Sequence, residues 1–362
     1  MNKQEAKYIP EWWKETTLGD LIFPVSETYN FTNLSKIHFL NTWDIQDWKL
    51  LHNNLSEVQS LPWQAKKKFK KWDILFSEIR PENKRFMLVD FNAENSVAST
   101  KLMVLRCKDW VDTNFIYKFI TSEIVIKEFQ VIAESRSWTF PQITFEAIER
   151  FPVLLPPLPE QRAIADMLLS LDTKIVVLQK QNETLEKIAQ TIFHEWFGRY
   201  SVENPEELPE GWRVGKLEEF IWEIESWKRP KWWVWDIKEW IPSIWAENVK
   251  WLLNSNFSNV KFIPNEFFNS MNSWKIKNND ILVYKDWWAP WEFRPNFTII
   301  WEGYPFETWA INEHVFRVQS KEEYQQYFLF FWLIWRVCTW ELKSIWWKAA
   351  IPWINGTDFK KL

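Results

Sequence analysis

Residues 158–197 read LPEQRAIADMLLSLDTKIVVLQKQNETLEKIAQTIFHEWF, and this stretch decides the fold. Its apolar residues recur at alternating intervals of four and three, which is the heptad pattern of a helix that packs along a partner helix. Prolines precede it and Gly198 follows it, as expected at the two ends of a helix. A helix of about 35 residues is roughly 50 Å long. The apolar stripe, here called the seam, comprises Ile164, Leu168, Leu171, Ile175, Leu178, Asn182, Leu185 and Ile192.

Two arrangements would bury the seam. The helix could lie in the core of a single domain, or it could be a coiled-coil spacer paired with a second helix. The length of the heptad pattern favours the spacer. Asn182 agrees with this interpretation, because one polar seam residue commonly sets the register of a coiled coil.

The composition describes a chain of 362 residues, which is long enough for two or three domains. Its formal net charge of −4 gives no overall positive field of the kind that attracts nucleic acid. The two cysteines, Cys107 and Cys338, form no metal-ligand spacing, which fits a reducing compartment. The opening residues lack the apolar core of a signal peptide, and no run of about 18 apolar residues exists. We therefore expect a cytoplasmic protein without a membrane segment.

The tryptophan content is abnormal, with 30 Trp against 6 Gly. Many of these tryptophans stand where turns need glycine, as in Asp47-Trp48-Lys49 and Lys71-Trp72-Asp73. A surface so rich in indole would favour aggregation. Our hypothesis is that many Trp represent glycines encoded by UGA in an organism that translates this codon as Gly. The alternative is a protein that is rich in tryptophan.

The segments before and after the long helix repeat one plan. Residues 208–217 match 9–18, residues 279–283 match 72–76, and residues 351–359 match 140–148. The offsets of 199, 207 and 211 grow smoothly, as in a diverged repeat with small insertions. Trp12 then faces Gly211 and Trp72 faces Asn279, and Gly and Asn tolerate positive φ. Both pairings agree with the glycine hypothesis.

The repeat ends at Leu362, which aligns with Phe151. In the first half, this position is followed by a proline-rich segment and the long helix. We therefore expect a second long helix that the sequence lacks. Either the chain is truncated, or a second chain supplies the helix.

These residues resemble the specificity subunit of type I restriction-modification systems. The resemblance lies in TFPQIT at 139–144, LLPPLPEQRAIA at 154–165 with the helix that follows, DILFS at 73–77 and LPEGW at 208–212. It implies two target recognition domains that each read half of a split DNA sequence. It also implies two antiparallel long helices that space these domains and dock methyltransferase (M) subunits, which restriction (R) subunits join. Members commonly have glycine at the positions of Trp72, Trp138 and Trp227, whereas the missing second helix departs from the family pattern.

DNA recognition requires Arg, Lys, Asn and Gln at base edges and cations at phosphates. Any single lysine is more simply part of a solvated surface. Arginines are stronger candidates, because a guanidinium can bond guanine through two hydrogen bonds. Further lysines, Lys70, Lys71 and Lys84, lie near the first-half candidates. The predicted DNA-binding residues are Lys66, Lys67, Lys68, Arg80, Arg85 and Arg136 in the first half, and Lys228, Arg229, Lys231, Lys285, Arg294 and Lys348 in the second.

Catalytic motifs are not found. The four histidines have no metal-ligand spacing, and no GxGxxG stretch appears even if Trp is replaced by Gly. Asp73 and Glu78 could be nuclease carboxylates, but they are more simply polar residues of a strand. We therefore predict a non-catalytic subunit that needs no cofactor or metal.

The sequence thus predicts a mixed α+β protein with two similar globular domains joined by a coiled-coil-type helix. The expected boundaries are 1–155 for the first target recognition domain, 156–200 for the spacer helix and 201–362 for the second domain. The expected partners are double-stranded DNA, M and R subunits, and a second specificity chain or fragment that supplies the missing helix. Two alternatives remain: a helical adaptor that binds the methyltransferase without reading DNA, and a nuclease or methyltransferase that acts alone.

Overall fold

The structure is a computed structural model. It describes residues 10–46, 48–136, 139–200, 204–225, 241–245, 248–249, 257, 260–270, 275–284, 296–301, 303–312, 314–338 and 356–361. The chain divides into two compact units, Met1–Ile175 and Val176–Leu362. Each unit mixes helices with β-sheets, so the predicted α+β class is confirmed.

The first unit begins with strands and ends with helices. Its strands are β1 (Lys14–Thr17), β2 (Ile22–Pro24), β3 (Lys36–Leu40), β4 (Ile45–Gln46), β5 (Lys49–Leu50), β6 (Ser56–Glu57), β7 (Ala65–Lys67), β8 (Ile74–Ser77), β9 (Phe86–Leu88), β10 (Ser96–Ser99), β11 (Leu102–Cys107) and β12 (Pro152–Leu155). Its helices are α1 (Leu18–Leu21), α2 (Thr113–Ile120), α3 (Glu123–Arg136) and α4 (Phe145–Ile148), followed by α5 (Leu158–Phe197), which continues into the second unit.

Two four-stranded sheets form the body of the first unit, in the orders β2-β11-β8-β9 and β6-β3-β10-β7. Alternate side chains of β11 enter different hydrophobic clusters, with Met103 and Leu105 in one and Leu102 and Val104 in the other. This alternation follows from the two-residue period of a strand, and it shows that both faces of the first sheet are covered. The strands therefore contain almost continuous apolar runs.

The second unit repeats this topology in its described residues. Its strands are β13 (Ile221–Glu225), β14 (Ile241–Ile244), β15 (Lys261–Ile263), β16 (Ile281–Tyr284), β17 (Phe297–Ile299), β18 (Ala310–Ile311) and β19 (Val315–Ser320). The helices are α6 (Leu217–Phe220), α7 (Asn265–Ser270), α8 (Glu323–Cys338) and α9 (Gly356–Lys360). The order β13-β19-β16-β17 matches β2-β11-β8-β9 strand by strand. The order β15-β14-β18 matches β6-β3-β10, with one parallel pair in each, and only the first unit adds a fourth strand, β7, among the described residues. The predicted similarity of the two halves is therefore confirmed in the fold.

A buried ion pair occurs at the same place in both units. Asp73, which precedes β8, is fully buried and accepts two hydrogen bonds from Arg106, at 2.7 and 2.8 Å. Asp280, which precedes β16, is also fully buried and pairs with Arg317. Each carboxylate also accepts a backbone N–H three residues upstream, from Lys70 or Lys277. These aspartates therefore stabilise the fold, and the nuclease interpretation of Asp73 receives no support from its environment.

Helix α5 has the predicted bounds, and each unit holds one end of it. In the first unit, Gln161 accepts a hydrogen bond from the backbone N–H of Asp112 at 3.0 Å, and Lys118 pairs with Asp172. In the second unit, the Phe193 ring lies 5.4 Å from that of Phe328. These contacts fix the helix through faces other than its seam.

The seam is open along most of its length. Leu171, Leu178 and Leu185 are 56%, 43% and 63% exposed, and Asn182 is also exposed. Ile164 is the exception, because it is half-buried against the core of the first unit. We therefore assign Ile164 to the attachment of the helix rather than to its free seam.

Three local patterns in the sequence were misleading. Residues 18–24 look like one strand, but 18–21 form a helical turn. The apolar spacing at 114–134 predicts one helix, but the helix is broken at Thr121 and Ser122. The polar residues 135–139 look like a loop, but residues 135 and 136 belong to α3. Trp12 does not have the positive φ that its pairing with Gly211 implied. Among the described residues, no helix combines the length and apolar character needed to cross a bilayer.

Candidate nucleic-acid interface

The most prominent cationic feature of the first unit is the loop of residues 80–85, here called the basic loop. Arg80 and Lys84 have positive φ angles of 42° and 52° and flank a short helical turn, Pro81–Asn83. Both basic side chains are exposed. A left-handed backbone is unusual for side chains of this size, so the surrounding contacts must hold it in place.

Three hydrogen bonds from different elements fix the basic loop. The backbone N–H of Arg80 donates to the Pro141 carbonyl at 3.1 Å. The backbone N–H of Glu82 donates to Oε1 of Gln130 on α3 at 3.3 Å. Nε2 of Gln46, at the end of β4, donates to the Asn83 carbonyl at 3.1 Å. The loop therefore lies against the β4–β5 hairpin, α3 and the segment that follows α3.

Arg85 carries a half-buried charge without a carboxylate partner among the described residues. Burial lowers the pKa of its guanidinium, and its Nε has no hydrogen-bond partner there. Its guanidinium lies 3.7 Å from the centre of the Trp43 ring. Arg106 differs in this respect, because its hydrogen bonds to Asp73 raise its pKa. An anion that approaches from outside would compensate Arg85, and a DNA phosphate is such an anion.

The other predicted DNA-binding residues of the first unit differ in exposure and in the contacts that they make within the protein. Arg136 is exposed at the end of α3 and donates to the Thr144 hydroxyl at 2.9 Å, beside the segment that contacts Arg80. Lys66 is also exposed. In contrast, Nζ of Lys67 donates to the Leu102 carbonyl at 2.8 Å, so this lysine joins β7 to β11. Lys68 lies 3.8 Å from Glu27, and both side chains are exposed.

The carboxylate of Glu78 also has partners within the protein. It accepts a hydrogen bond from Gln142 at 2.8 Å and lies 3.5 Å from Nζ of Lys67. The described residues contain no group of three or more His, Cys, Asp or Glu side chains arranged to hold a metal ion. The cationic side chains at this surface, Arg80, Lys84, Arg85 and Arg136, suit recognition of an anion.

Sequence reasoning missed the β4–β5 hairpin and Gln46. The available signal was the turn at Asp47-Trp48-Lys49, where Trp48 has a positive φ of 61°. The predicted second-unit residues lie outside the described residues: Lys228, Arg229, Lys231, Lys285, Arg294 and Lys348.

Comparison with known proteins connects this surface to a family. Residues 10–187 match the family described as "Type I restriction modification DNA specificity domain". The type I restriction enzyme HindI specificity subunit of Haemophilus influenzae is 42% identical over 186 residues, which are 51% of this chain and 40% of that protein. The MjaVIII specificity subunit of Methanocaldococcus jannaschii is 26% identical over 208 residues, which are 53% of this chain and 46% of that protein. The chain thus spans less than half the length of both curated relatives.

Solved structures that align with this chain are more distant in sequence. The crystal structure of the type I restriction-modification S subunit from M. genitalium aligns over 98% of this chain and 84% of that chain, with 14% identity and a TM-score of 0.49. The HsdS subunit from Thermoanaerobacter tengcongensis aligns over 98% of this chain and 84% of that chain, with 19% identity and a TM-score of 0.43.

Proposed function

We propose that this chain is the DNA-reading specificity subunit of a type I restriction-modification complex. The observation that carries the proposal is the match of residues 10–187 to the DNA specificity domain of such systems, with the basic loop inside that range. Arg80, Lys84, Arg85 and Arg136 would contact DNA. Arg80 and Arg136 suit base edges, and Arg85 suits a phosphate because its half-buried charge lacks a carboxylate.

The repeated topology supports a bipartite target. We propose that residues 1–155 and 201–362 are two target recognition domains that read separate half-sites, with residues 156–200 as the spacer helix. In the sequence, Lys285 and Arg294 fall between β16 and β17, as the basic loop falls between β8 and β9, and we propose that they belong to the second reader. Chemistry would belong to the partner subunits, so the chain itself would be non-catalytic. M subunits would dock on the helical region, and R subunits would join through them.

The seam supports a partner helix that packs antiparallel to α5. A second copy could pair in the antiparallel register that places Ile164 opposite Trp196 and Leu168 opposite Ile192. In that register, Asn182 of each copy would face Leu178 of the other. An amide buried without a hydrogen bond costs about 1–3 kcal/mol. We therefore favour a helix of another sequence, from another chain or fragment, with a polar residue opposite Asn182.

The proposal is tested by selecting DNA with the purified chain bound to its methyltransferase. A randomised duplex library should yield one split sequence with a fixed gap between two half-sites. The matched control is the methyltransferase alone, which should enrich no such sequence. Enrichment of the same motif without this chain would contradict the proposal.

Arg80→Gln should weaken binding to the selected duplex by about 1–3 kcal/mol and relax the preference at one position, because a bidentate base contact is lost. Fluorescence anisotropy with the selected duplex and its single-base variants measures both effects. Lys127→Gln is the matched control, since Lys127 is exposed on α3 and pairs within its own helix with Glu123. Equal affinities of the Arg80 and Lys127 variants would remove Arg80 from the interface.

One observation favours a second candidate, a helical adaptor that binds the methyltransferase without reading DNA. The net charge of −4 is unusual for a protein that binds DNA on its own. An adaptor would bind the methyltransferase with unchanged affinity and leave the DNA selection without a motif. The specificity subunit is favoured because the matched family domain contains the basic loop.

We also propose that many of the tryptophans are glycines in the natural protein. Trp48 and Trp72 have positive φ angles of 61° and 71°, a conformation in which glycine is unstrained. Asn279, the repeat partner of Trp72, has a φ of 65°. If Trp43 is also a glycine, Arg85 loses its contact with the Trp43 ring. Among the described residues, it still has no carboxylate partner.

Replacing Trp72 with Gly should stabilise the first unit by about 1 kcal/mol, because an L-residue pays for a left-handed backbone. Native-state hydrogen exchange of β8 measures the change. Trp332→Gly is the control, and should be strongly destabilising because that side chain is half-buried against the second core. Peptide mass spectrometry of protein from the native organism should find Gly at position 72. Tryptophan there would end the recoding hypothesis.

A further inference from the structure

Gln142 lies beside the basic loop and was missed by sequence reasoning. It forms an isolated antiparallel bridge with the residue that precedes the loop. The backbone N–H of Arg80 donates to the carbonyl of Pro141, directly before Gln142, at 3.1 Å. On the other side of Gln142, the hydroxyl of Thr144 accepts a hydrogen bond from the exposed Arg136 at 2.9 Å. Gln142 therefore lies between the attachment points of the two arginines that we propose to contact base edges.

The side chain of Gln142 is held by a carboxylate. Its Nε2 donates a hydrogen bond to Oε2 of Glu78 at 2.8 Å. The other carboxylate oxygen of Glu78 lies 3.5 Å from Nζ of Lys67, which itself donates to the Leu102 carbonyl at 2.8 Å. The side chain of Glu78 is only 15% exposed. Because both of its oxygens have partners within the protein, Glu78 offers Gln142 an acceptor at a fixed position.

Glu78 also determines which end of the Gln142 amide faces it. An ionised carboxylate accepts hydrogen bonds and donates none, so the nitrogen of the amide must face Glu78 and the oxygen must point away. Within the described part of the chain, this oxygen receives no hydrogen bond, and Gln142 is half-buried rather than enclosed. The amide nitrogen has a second N–H. The side chain therefore presents one acceptor and one donor for a ligand.

The internal repeat distinguishes this pair from residues that the fold requires. The buried aspartate–arginine pair occurs in both units. In contrast, Lys285 follows β16 in the sequence where Glu78 follows β8, and Trp353 occupies the repeat position of Gln142. A lysine and a tryptophan cannot form an amide–carboxylate pair, and a glycine at position 353 would have no side chain at all. Two readers of different half-sites should differ in this way at residues that contact bases.

We propose that Gln142 reads an adenine in the half-site bound by the first unit, and that Glu78 is its positioning residue. This inference rests on the proposed function. In the major groove, adenine presents the N6 amino group as a donor next to N7 as an acceptor, and a glutamine amide matches both. Oε1 of Gln142 accepts from N6, and the N–H that is not bonded to Glu78 donates to N7. Because Glu78 already orients the amide, the side chain loses little conformational freedom on binding.

The test repeats the DNA selection with the full chain bound to its methyltransferase. Gln142→Met keeps the length of the side chain and removes its hydrogen bonds. This variant should select the same split sequence with the same gap, except that one A·T position of one half-site becomes degenerate. Glu78→Gln should relax the same position, because a glutamine can donate as well as accept and no longer orients the Gln142 amide. Gln59→Met is the matched control, since Gln59 is exposed, and should select the wild-type sequence.

An adenine analogue tests the contact itself. Gln142→Met should bind the selected duplex about 5-fold to 150-fold more weakly than the wild-type chain does, because a bidentate base contact is lost. 7-Deazaadenine lacks the N7 acceptor. Placed at the relaxed position, it should weaken binding of the wild-type chain by about 3-fold to 10-fold, since one hydrogen bond is lost. Gln142→Met should bind the normal and the modified duplex with equal affinity.

Four results would overturn the proposal. Gln142→Met could select the wild-type sequence, or it could relax a position that is not A·T. It could also lose both half-sites, which would indicate a role in the fold. Finally, 7-deazaadenine could weaken binding of the wild-type chain and of Gln142→Met by the same factor. A wild-type chain that selects no split sequence would instead refute the proposed function, so the two failures are distinguishable.

Discussion

The double substitution Leu178→Asp and Leu185→Asp should abolish the pairing of α5 with the partner helix that we propose. Both leucines are exposed in the chain, so the substitutions leave its own core intact. Burial of each leucine in a helix pair would contribute about 1.5–3 kcal/mol to the free energy of pairing. The two aspartates would remove this contribution and would also place charges in a buried interface. We expect affinity for the partner helix to fall at least about 100-fold.

Calorimetry with the chain or fragment that supplies the partner helix measures this loss of affinity. Sedimentation with the methyltransferase complex measures assembly. Thr173→Asp with Lys180→Asp is the matched control, because both residues are exposed on another face of the same helix. The control should assemble as the wild type does. Unaltered assembly of the leucine variant would show that the seam is not an interface.

Replacing Asp73 with Ala should destabilise the first unit by about 3–5 kcal/mol, because the partly buried Arg106 loses its two short hydrogen bonds and keeps only the exposed Glu27, 3.7 Å away. The substitution also removes the acceptor of the Lys70 backbone N–H. Native-state hydrogen exchange of β8 and β11 reports the unit separately, which matters because a chain with two units need not unfold in one step.

Glu57→Ala is the control for this change. It breaks the Lys36–Glu57 pair, whose side chains are 58% and 59% exposed, and should cost less than about 1 kcal/mol. Equal effects of the two substitutions would contradict the structural role of Asp73. The repeat extends the prediction to Asp280, which should behave as Asp73 does.

The sequence predicted the features whose pattern extends over many residues. Helix α5 was predicted with its observed bounds because a heptad pattern over more than four repeats leaves little ambiguity. The repeat of 72–76 in 279–283 was also predicted, and Trp72 and Asn279 both adopt a left-handed backbone. Such agreement arises because both signals are carried by many residues.

Short elements were harder to predict, because tertiary contacts decide them. Residues 18–21 alternate like a strand, yet Leu18 and Gly19 donate to Phe151 and Glu149 and form a helical turn. Lys67 and Arg80 look alike as isolated cations. Only the three-dimensional contacts show that Lys67 bonds a buried carbonyl, whereas Arg80 is held on the surface by the basic loop.

The central claim is that this chain chooses the DNA sequence that its partners modify. Sequencing the methylated bases of the host genome, with the gene intact and deleted, tests it most directly. We expect deletion to remove methylation at one split motif and to leave all other motifs unchanged. An unchanged methylome, in cells where the chain still binds the methyltransferase, would contradict the claim.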